Sequence, residues 1–262
     1  MTHFAPVANL AIHKRLASLG LLGDYHLLLA HQVLGDQNGY AAFWRKFVDG
    51  TGRSRLDITI DNSVIETGTP MAFGDVIEAA NVVGATTVVL PDKIDDKAAT
   101  LDLSGTAFEN FVDDLEEQGI APLGVAQGRD FDEVLECAAA LADMGVQRLA
   151  VPRGLTQNEV IGSRVELTKQ IWRTHQKPIH LLGFSDNIID DITASRIPGV
   201  IGIDSAVPIW LGLKGKALTE APPSPQASRW GRRPSDYEEV DRDLPGLVRT
   251  NLEAVRMWLS DI

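Results

Sequence analysis

Five short segments of this 262-residue chain hold residue types able to move protons, attack carbon or read a polar edge: Asp61-Asn62-Ser63, Asp92-Lys93, Gln127-Gly128, Pro152-Arg153-Gly154 and Asp204-Ser205. Each follows a short β-rich, apolar run. One carboxylate after a strand is a common turn or cap residue and carries little by itself. Three carboxylates and an amide at equivalent positions carry more, because two facing carboxylates are the minimum set for displacement at an anomeric carbon. One attacks or steadies the positive sugar, and the other moves a proton. The third carboxylate and the amide have the acceptors and donors to read the edge of a base.

The elements that must position these groups alternate along the chain. Residue patterning predicts strands at Tyr25–Leu34, Arg55–Ile60, Thr86–Leu90, Ala121–Ala126, Val146–Val151, Pro178–Gly183 and Val200–Ile203. Helical spacing fills the intervals: Tyr40–Val48, Thr69-Pro70 to Val83, a run with Phe108, Phe111, Val112 and Leu115 on its apolar side, Phe131–Asp143, Thr156 to about Thr174, and Asn187–Ser195. Gly84, Gly119 and Gly145 mark helix stops. An eighth strand is not evident. Strand and helix alternating at this pace imply a parallel sheet with helices outside it. A length near 250 residues, seven legible strands and no G-x-G-x-x-G after the first favour an α/β fold of the (β/α)8 barrel type over a doubly wound sheet. In such a barrel the five segments share one mouth, at the carboxyl ends of the strands. Residues 1–262 are read as one barrel domain, irregular near the C-terminus. It carries a Pro/Arg-rich loop at about 211–234 and a closing helix at about 245–261, whose apolar face holds Leu247, Val248, Leu252, Val255, Trp258 and Leu259.

Composition narrows the partners. With 44% hydrophobic and 23% charged residues the chain is neither disordered nor a small disulfide scaffold. Its single cysteine, Cys137, reads as a free buried thiol and excludes an internal disulfide and a thiolate zinc site. No apolar run spans a membrane and no leader pattern opens the chain, so a cytoplasmic protein without membrane contact is expected. A net charge of −12 argues against a broad phosphate-binding surface, so nucleic-acid contact must be local. Lys214, Lys216, Arg229, Arg232 and Arg233 face only Glu220 between Leu211 and Arg233 and form a basic island suited to that contact. Trp210, Trp230 and Tyr237 lie among them as rings that could stack bases, although Trp210 equally suits a core.

The strand ends resemble the queuine/archaeosine-type guanine transglycosylases, which exchange guanine for a 7-deazaguanine in a polynucleotide. Asp61-Asn-Ser-Val-Ile-Glu66 resembles that family's Asp-Ser-Gly-Gly-Phe-Gln, and Gly124-Val-Ala-Gln-Gly128 its Gly-Ile-Val-Gln-Gly. Pro152-Arg-Gly-Leu155 sits where Gly-Gly-Leu is usual, His180-Leu-Leu-Gly183 resembles Tyr-Leu-Met-Gly, and Ile203-Asp-Ser-Ala-Val-Pro208 resembles Phe-Asp-Cys-Val-x-Pro. The chain lacks the Cys-x-Cys-x-x-Cys and His zinc module of the tRNA enzymes and has Pro208-Ile-Trp in place of their Pro-Thr-Arg. It is thereby more similar to the zinc-free branch, encoded in phages and bacterial modification islands, that places 7-deazaguanine derivatives in DNA. A phage-encoded member would work in the host cytoplasm.

The resemblance implies Asp204 as nucleophile on C1′ and Asp61 as general acid/base. It implies base recognition by Asp92, Gln127 and the Gly154 backbone, with Gly128, Leu155, Asn62 and Ser63 in the same pocket. It implies guanine and a 7-deazaguanine-type base as ligands, DNA as polymer with tRNA or a nucleoside as alternative, no cofactor and no metal. A homodimer is compatible with it, and a noncatalytic partner subunit is the reading outside enzyme chemistry. Retention of both Asp61 and Asp204 favours catalysis. His26 and His31 lack ligand spacing and read as core or rim histidines. Gly35-Asp-Gln-Asn-Gly39 follows the first strand and reads either as a border of the pocket or as a plain turn, and the paired acids Asp95-Asp96, Asp113-Asp114 and Glu116-Glu117 read as solvated faces or turns.

Overall fold

The computed structural model describes residues 2–35, 39–153, 163–185, 187–218 and 246–260. Eight parallel strands form one nearly closed barrel: β1 (His3–Pro6), β2 (Tyr25–Leu29), β3 (Asp57–Asp61), β4 (Thr87–Val89), β5 (Ala121–Val125), β6 (Arg148–Pro152), β7 (Ile179–Leu182) and β8 (Val200–Ser205). Their order is β1-β8-β7-β6-β5-β4-β3-β2, and the terminal strands β1 and β2 lie against each other. Helices fill the intervals, among them Leu10–Ser18, Tyr40–Thr51, Phe73–Val83, Lys97–Gln118, Phe131–Met144, Ser163–His175 and Ile188–Ser195. The (β/α)8 class expected from the alternation is the fold observed.

Alternation along each strand sorts side chains into two apolar regions, since successive residues point to opposite faces. Tyr25, Leu27 and Leu29 of β2 pack with Ala5 inside the barrel, and Val89, Leu123, Val125 and Ala150 form a second inner cluster. Leu28, Ile58, Ile60, Val88, Leu149 and Leu181 belong instead to the large core between sheet and helices. Gly202 matters to the inner region: a Cβ there would lie 2.2 Å from the Tyr25 ring, so glycine on β8 opens the space that this ring fills.

The eighth strand lies at the N-terminus, where patterning finds none. β1 has four residues, His-Phe-Ala-Pro, too few for a period and ended by proline, and pairing supplies what propensity does not: His3↔Gly202 through Pro6↔Ser205 on β8. The predicted strand Tyr25–Leu34 ends at Leu29, and Ala30–Gly35 is a helix burying Ala30 and Val33. A continuous apolar run reads the same in both conformations, so the residue pattern does not mark this boundary. The helix expected from Thr69-Pro70 begins at Phe73. Irregular chain is expected directly after Asp204, yet Val207–Leu213 is helical with proline in its first turn. Tertiary contact decides this: buried Asn251 of helix Gly246–Ser260 donates to the carbonyls of Pro208 and Lys216 and accepts from the Leu218 N–H. Cys137 is a free, buried thiol, and burial pushes its pKa up to about 11. Among the described residues no helix is long and apolar enough to cross a membrane.

Outside the barrel, His26 and His13 pack around Trp44, with ring centroids 4.7 and 5.0 Å from it. Burial pushes His13 down to about 4 and His26 to about 3. Both are therefore neutral in the fold, whereas the unfolded chain takes up protons on them below about pH 6.5. Their contribution is full above pH 6.5 and drains as pH falls toward the folded values, on the order of 3 kcal/mol from His26 between pH 7 and pH 4. Urea unfolding at the two pH values, in wild type and His26→Phe, checks this. The acid loss is smaller in the variant; equal losses would show that His26 does not carry it.

Candidate active site

The strand ends enclose a cavity of about 360 Å³. Leu27, Leu29, Val125 and Leu182 give it an apolar wall. Among the described residues, Asp61, Glu66, Asp92, Asp95 and Asp204 bring five carboxyl groups to its lining, against one cation, Arg153. The four residues that carry the chemistry in the sequence reading, Asp204, Asp61, Asp92 and Gln127, all line it.

Asp204 lies at the end of β8 with 8% of its surface exposed. One carboxylate oxygen, Oδ1, is 2.9 Å from His180 Nε2 and accepts from the Gly183 N–H at 2.9 Å. Gly183 is also held from behind, because its own carbonyl accepts from Arg164 at 2.7 Å. Arg164 is fully buried against Asp191 at 2.6 Å and also donates to the carbonyls of Val151 and Leu182, tying the ends of β6 and β7 to helix Ile188–Ser195. Asp191 in turn accepts from the Ser185 N–H. Breaking one partner of such a buried pair strands the other charge, so this staple is obligatory once built.

Asp61 ends β3 and faces the cavity. Its carboxylate accepts from the Ser63 N–H at 2.7 Å, which the left-handed backbone of Ser63 (φ 63°) aims back at it. Burial pushes the Asp61 pKa well above the usual carboxylate range, and the charges of Glu66, Asp92 and Asp204 push the same way. Glu66 borders the cavity on its exposed side; burial by the surrounding protein still raises its pKa, with Asp204 adding to the rise and Arg153 opposing it.

Asp92 sits in a chain of amides. Asn62 donates to its Oδ1 at 2.7 Å and Gln127 to its Oδ2 at 2.6 Å, while the Gln127 carbonyl accepts from the Asp95 N–H at 3.2 Å. Burial raises the Asp92 pKa, and the two amide donors oppose the rise. Each carboxylate oxygen keeps acceptor capacity and Gln127 keeps one N–H, so the group can still pair with a planar edge that presents adjacent donors and an acceptor.

Other residues singled out in the sequence stand elsewhere. Asn62 is fully buried and, with its amide shared between Asp92 and the Leu90 carbonyl, supports the pocket without lining it. Ser63 is likewise buried behind Asp61. Gly128 does not line the cavity either: a Cβ there would lie 2.7–2.8 Å from Glu133 and Val134, so glycine allows helix Phe131–Met144 to start hard against β5. Lys214 and Lys216 are exposed, and the Lys214 ammonium lies 5.8 Å from the ring centre of Trp210, which lines the cavity. Gly154, Leu155, Arg229, Arg232, Arg233, Trp230 and Tyr237 lie outside the described residues. Among those described, no group of three or more His, Cys, Asp or Glu is placed to hold a metal ion.

Three residues gain importance that patterning does not single out. Glu66 follows Asp61 by five positions and shares its cavity, a spacing without strand or helix periodicity. Tyr25 and His180 fall within predicted strands and receive no role from the sequence; the available signal is that each is a polar group at an inward position of a barrel strand.

Because the folded state raises the Asp61 pKa, its ionised form is disfavoured by folding, and stability is lost as pH rises past the unfolded value. Asp61→Asn removes that charge and can keep the bond from the Ser63 N–H. The variant is expected to melt higher at pH 7 by about 2–4 °C, the scale of a gain of about 1 kcal/mol in a domain of this size. The gain disappears at pH 3, where wild type carries a proton too. A variant less stable at pH 7 would show that Asp61 is not strained by its neighbours.

No protein-family model matches the chain, and no curated protein matches it in sequence. The chemistry of the cavity therefore rests on its own atoms.

Proposed function

We propose that the protein is a base-exchange transglycosylase that replaces guanine in DNA by a 7-deazaguanine derivative through a covalent aspartyl-sugar intermediate. The observation that carries this reading is the pair of unlike carboxyls in one cavity: Asp204, held by an imidazole and a backbone N–H, and Asp61, whose surroundings favour its proton. Unlike environments for two carboxyls divide the roles of nucleophile and acid.

Asp204 attacks C1′ of the target nucleotide, the bond from C1′ to the base breaks, and the departing base takes a proton from Asp61. An incoming base returns a proton to Asp61 as its ring nitrogen attacks C1′, and Asp204 is released as carboxylate. Asp92 accepts from the ring N–H and exocyclic amine of either base, and Gln127 donates to the carbonyl. A 7-deazaguanine keeps that edge, so one pocket serves both bases. The cavity volume is that of a small-molecule site, and its Leu27, Leu29, Val125 and Leu182 wall suits a flat ring. DNA is favoured over tRNA by the sequence, which lacks the zinc module of the tRNA enzymes.

Incubation with radiolabelled guanine and, separately, duplex DNA, single-stranded DNA and tRNA tests the reading. Label is expected in DNA, and Asp204→Asn is expected to lower its entry by about 10³-fold or more and to abolish a protein–DNA adduct seen in denaturing gels. Label in tRNA alone would move the substrate, and full exchange by Asp204→Asn would remove the nucleophile. For the basic island, replacing Arg229, Arg232 and Arg233 by Ala is expected to reduce the log–log salt slope of DNA binding by roughly one for each phosphate no longer neutralised. An unchanged slope would place the footprint elsewhere.

A further inference from the structure

His180 is fully buried on β7, between Asp204 above it and Tyr25 below. Its Nε2 is 2.9 Å from Asp204 Oδ1, and its Nδ1 is 2.6 Å from the Tyr25 hydroxyl, with the two rings stacked at 5.6 Å. Tyr25 is itself 2% exposed, and its ring occupies the space that Gly202 leaves open. Phenol, imidazole and carboxylate thus form one continuous chain through the barrel interior.

Only one arrangement of hydrogens gives every donor in this chain an acceptor. An ionised Asp204 only accepts, so Nε2 carries a hydrogen. Nδ1 is then a bare acceptor for the Tyr25 hydroxyl. Were Nδ1 protonated as well, it would have to donate to Tyr25, and the hydroxyl hydrogen would have no acceptor among the described residues. Burial holds the Tyr25 proton in place, with Asp57 and Asp204 reinforcing and Arg148 opposing.

Taking Asp204 as the nucleophile, we infer that Tyr25 is a positioning residue acting through His180: its hydroxyl sets the imidazole tautomer so that both donors fall on Asp204 Oδ1, leaving Oδ2 to bond with C1′. His180 Nε2–H and Gly183 N–H both point at Oδ1, and no hydrogen bond to Oδ2 is found among the described residues. In the attack, Oδ2 forms the bond to C1′ while the electron pair of the bond to the base leaves with the base, which is protonated by Asp61. Oδ1 becomes the ester carbonyl and keeps both donors. In the return step the incoming base bonds to C1′, Oδ2 leaves with its electron pair, and the same two donors steady the restored carboxylate. An imidazole with its hydrogen on Nδ1 would present a lone pair to Oδ1 and turn the carboxylate away.

Tyr25→Phe keeps the ring and removes the hydroxyl. Single-turnover adduct formation is expected to fall about 10-fold, the scale of one lost hydrogen bond, with KM for DNA and for guanine within about 2-fold of wild type. His180→Gln, which retains an N–H toward Oδ1, recovers part of the rate lost in His180→Ala and makes Tyr25→Phe silent in its background, since an amide has no tautomer to set. Nitrogen-15 NMR of labelled histidine reads the same chain without turnover: His180 appears as the Nε2–H form with a hydrogen-bonded Nδ1 in wild type, and the Nδ1 signal moves to that of a free imine nitrogen in Tyr25→Phe. An unchanged adduct rate in Tyr25→Phe, or a wild-type His180 protonated on Nδ1, overturns the inference. Absence of exchange with every polymer would instead overturn the transglycosylase reading, and the NMR result would still decide the tautomer.

Discussion

Five carboxyl groups lining a cavity of about 360 Å³, on a chain that already carries a charge of −12, set the problem that the rest of the structure answers. Like charges in a confined, partly dry space repel far more strongly than in water, and those turned away from solvent must find a donor or hold a proton. The fold answers differently for Asp204, Asp92 and Asp61. Asp204 receives an imidazole and a glycine N–H, Asp92 two side-chain amides, and Asp61 one backbone N–H from a residue in left-handed conformation. Among the described residues only Arg153 brings positive charge to the lining. Asp61, with one donor and three acidic neighbours, is where a proton is most readily kept.

These donors come from distant parts of the chain, so the site exists only while the strand ends hold register. The buried Arg164–Asp191 pair serves that end by gathering the carbonyls of Val151, Leu182 and Gly183 around one guanidinium. The peptide between Leu182 and Gly183 is thus pinned on both sides, its oxygen by Arg164 and its N–H by Asp204. Packing of the barrel and geometry of the cavity meet at this peptide. Below it, Tyr25 and His180 replace the aliphatic filling usual in barrel interiors with a polar chain. That substitution requires glycine at 202 on the neighbouring strand.

Much of this is legible in one dimension because local physics enforces it. Alternating strands and helices demand a parallel sheet with helices outside, and polar residues directly after apolar strands must collect at one end of it. Asp61, Asp92, Gln127 and Asp204 are reached that way, and all four line the cavity. Boundaries are less legible where one residue run suits two conformations. Leu29-Ala30 divides strand from helix inside an unbroken apolar stretch, and β1 is a strand because β8 offers it partners, not because His-Phe-Ala-Pro prefers extension.

Residue types repeated at fixed intervals are enough to dictate the barrel class, the parallel direction of its strands and the acidic character of its mouth. Which polar residues face the cavity and which support it is settled by packing in three dimensions. Asn62 and Asp61 are adjacent in sequence, yet one lies buried beneath Asp92 and the other faces the cavity. Tyr25, His180 and Asp204 stand on three strands from opposite ends of the chain, and no local periodicity links them. Their partnership arises because closing a sheet into a barrel brings inward side chains of β2, β7 and β8 into one narrow interior, where a polar group must find its partner among whatever strands are opposite.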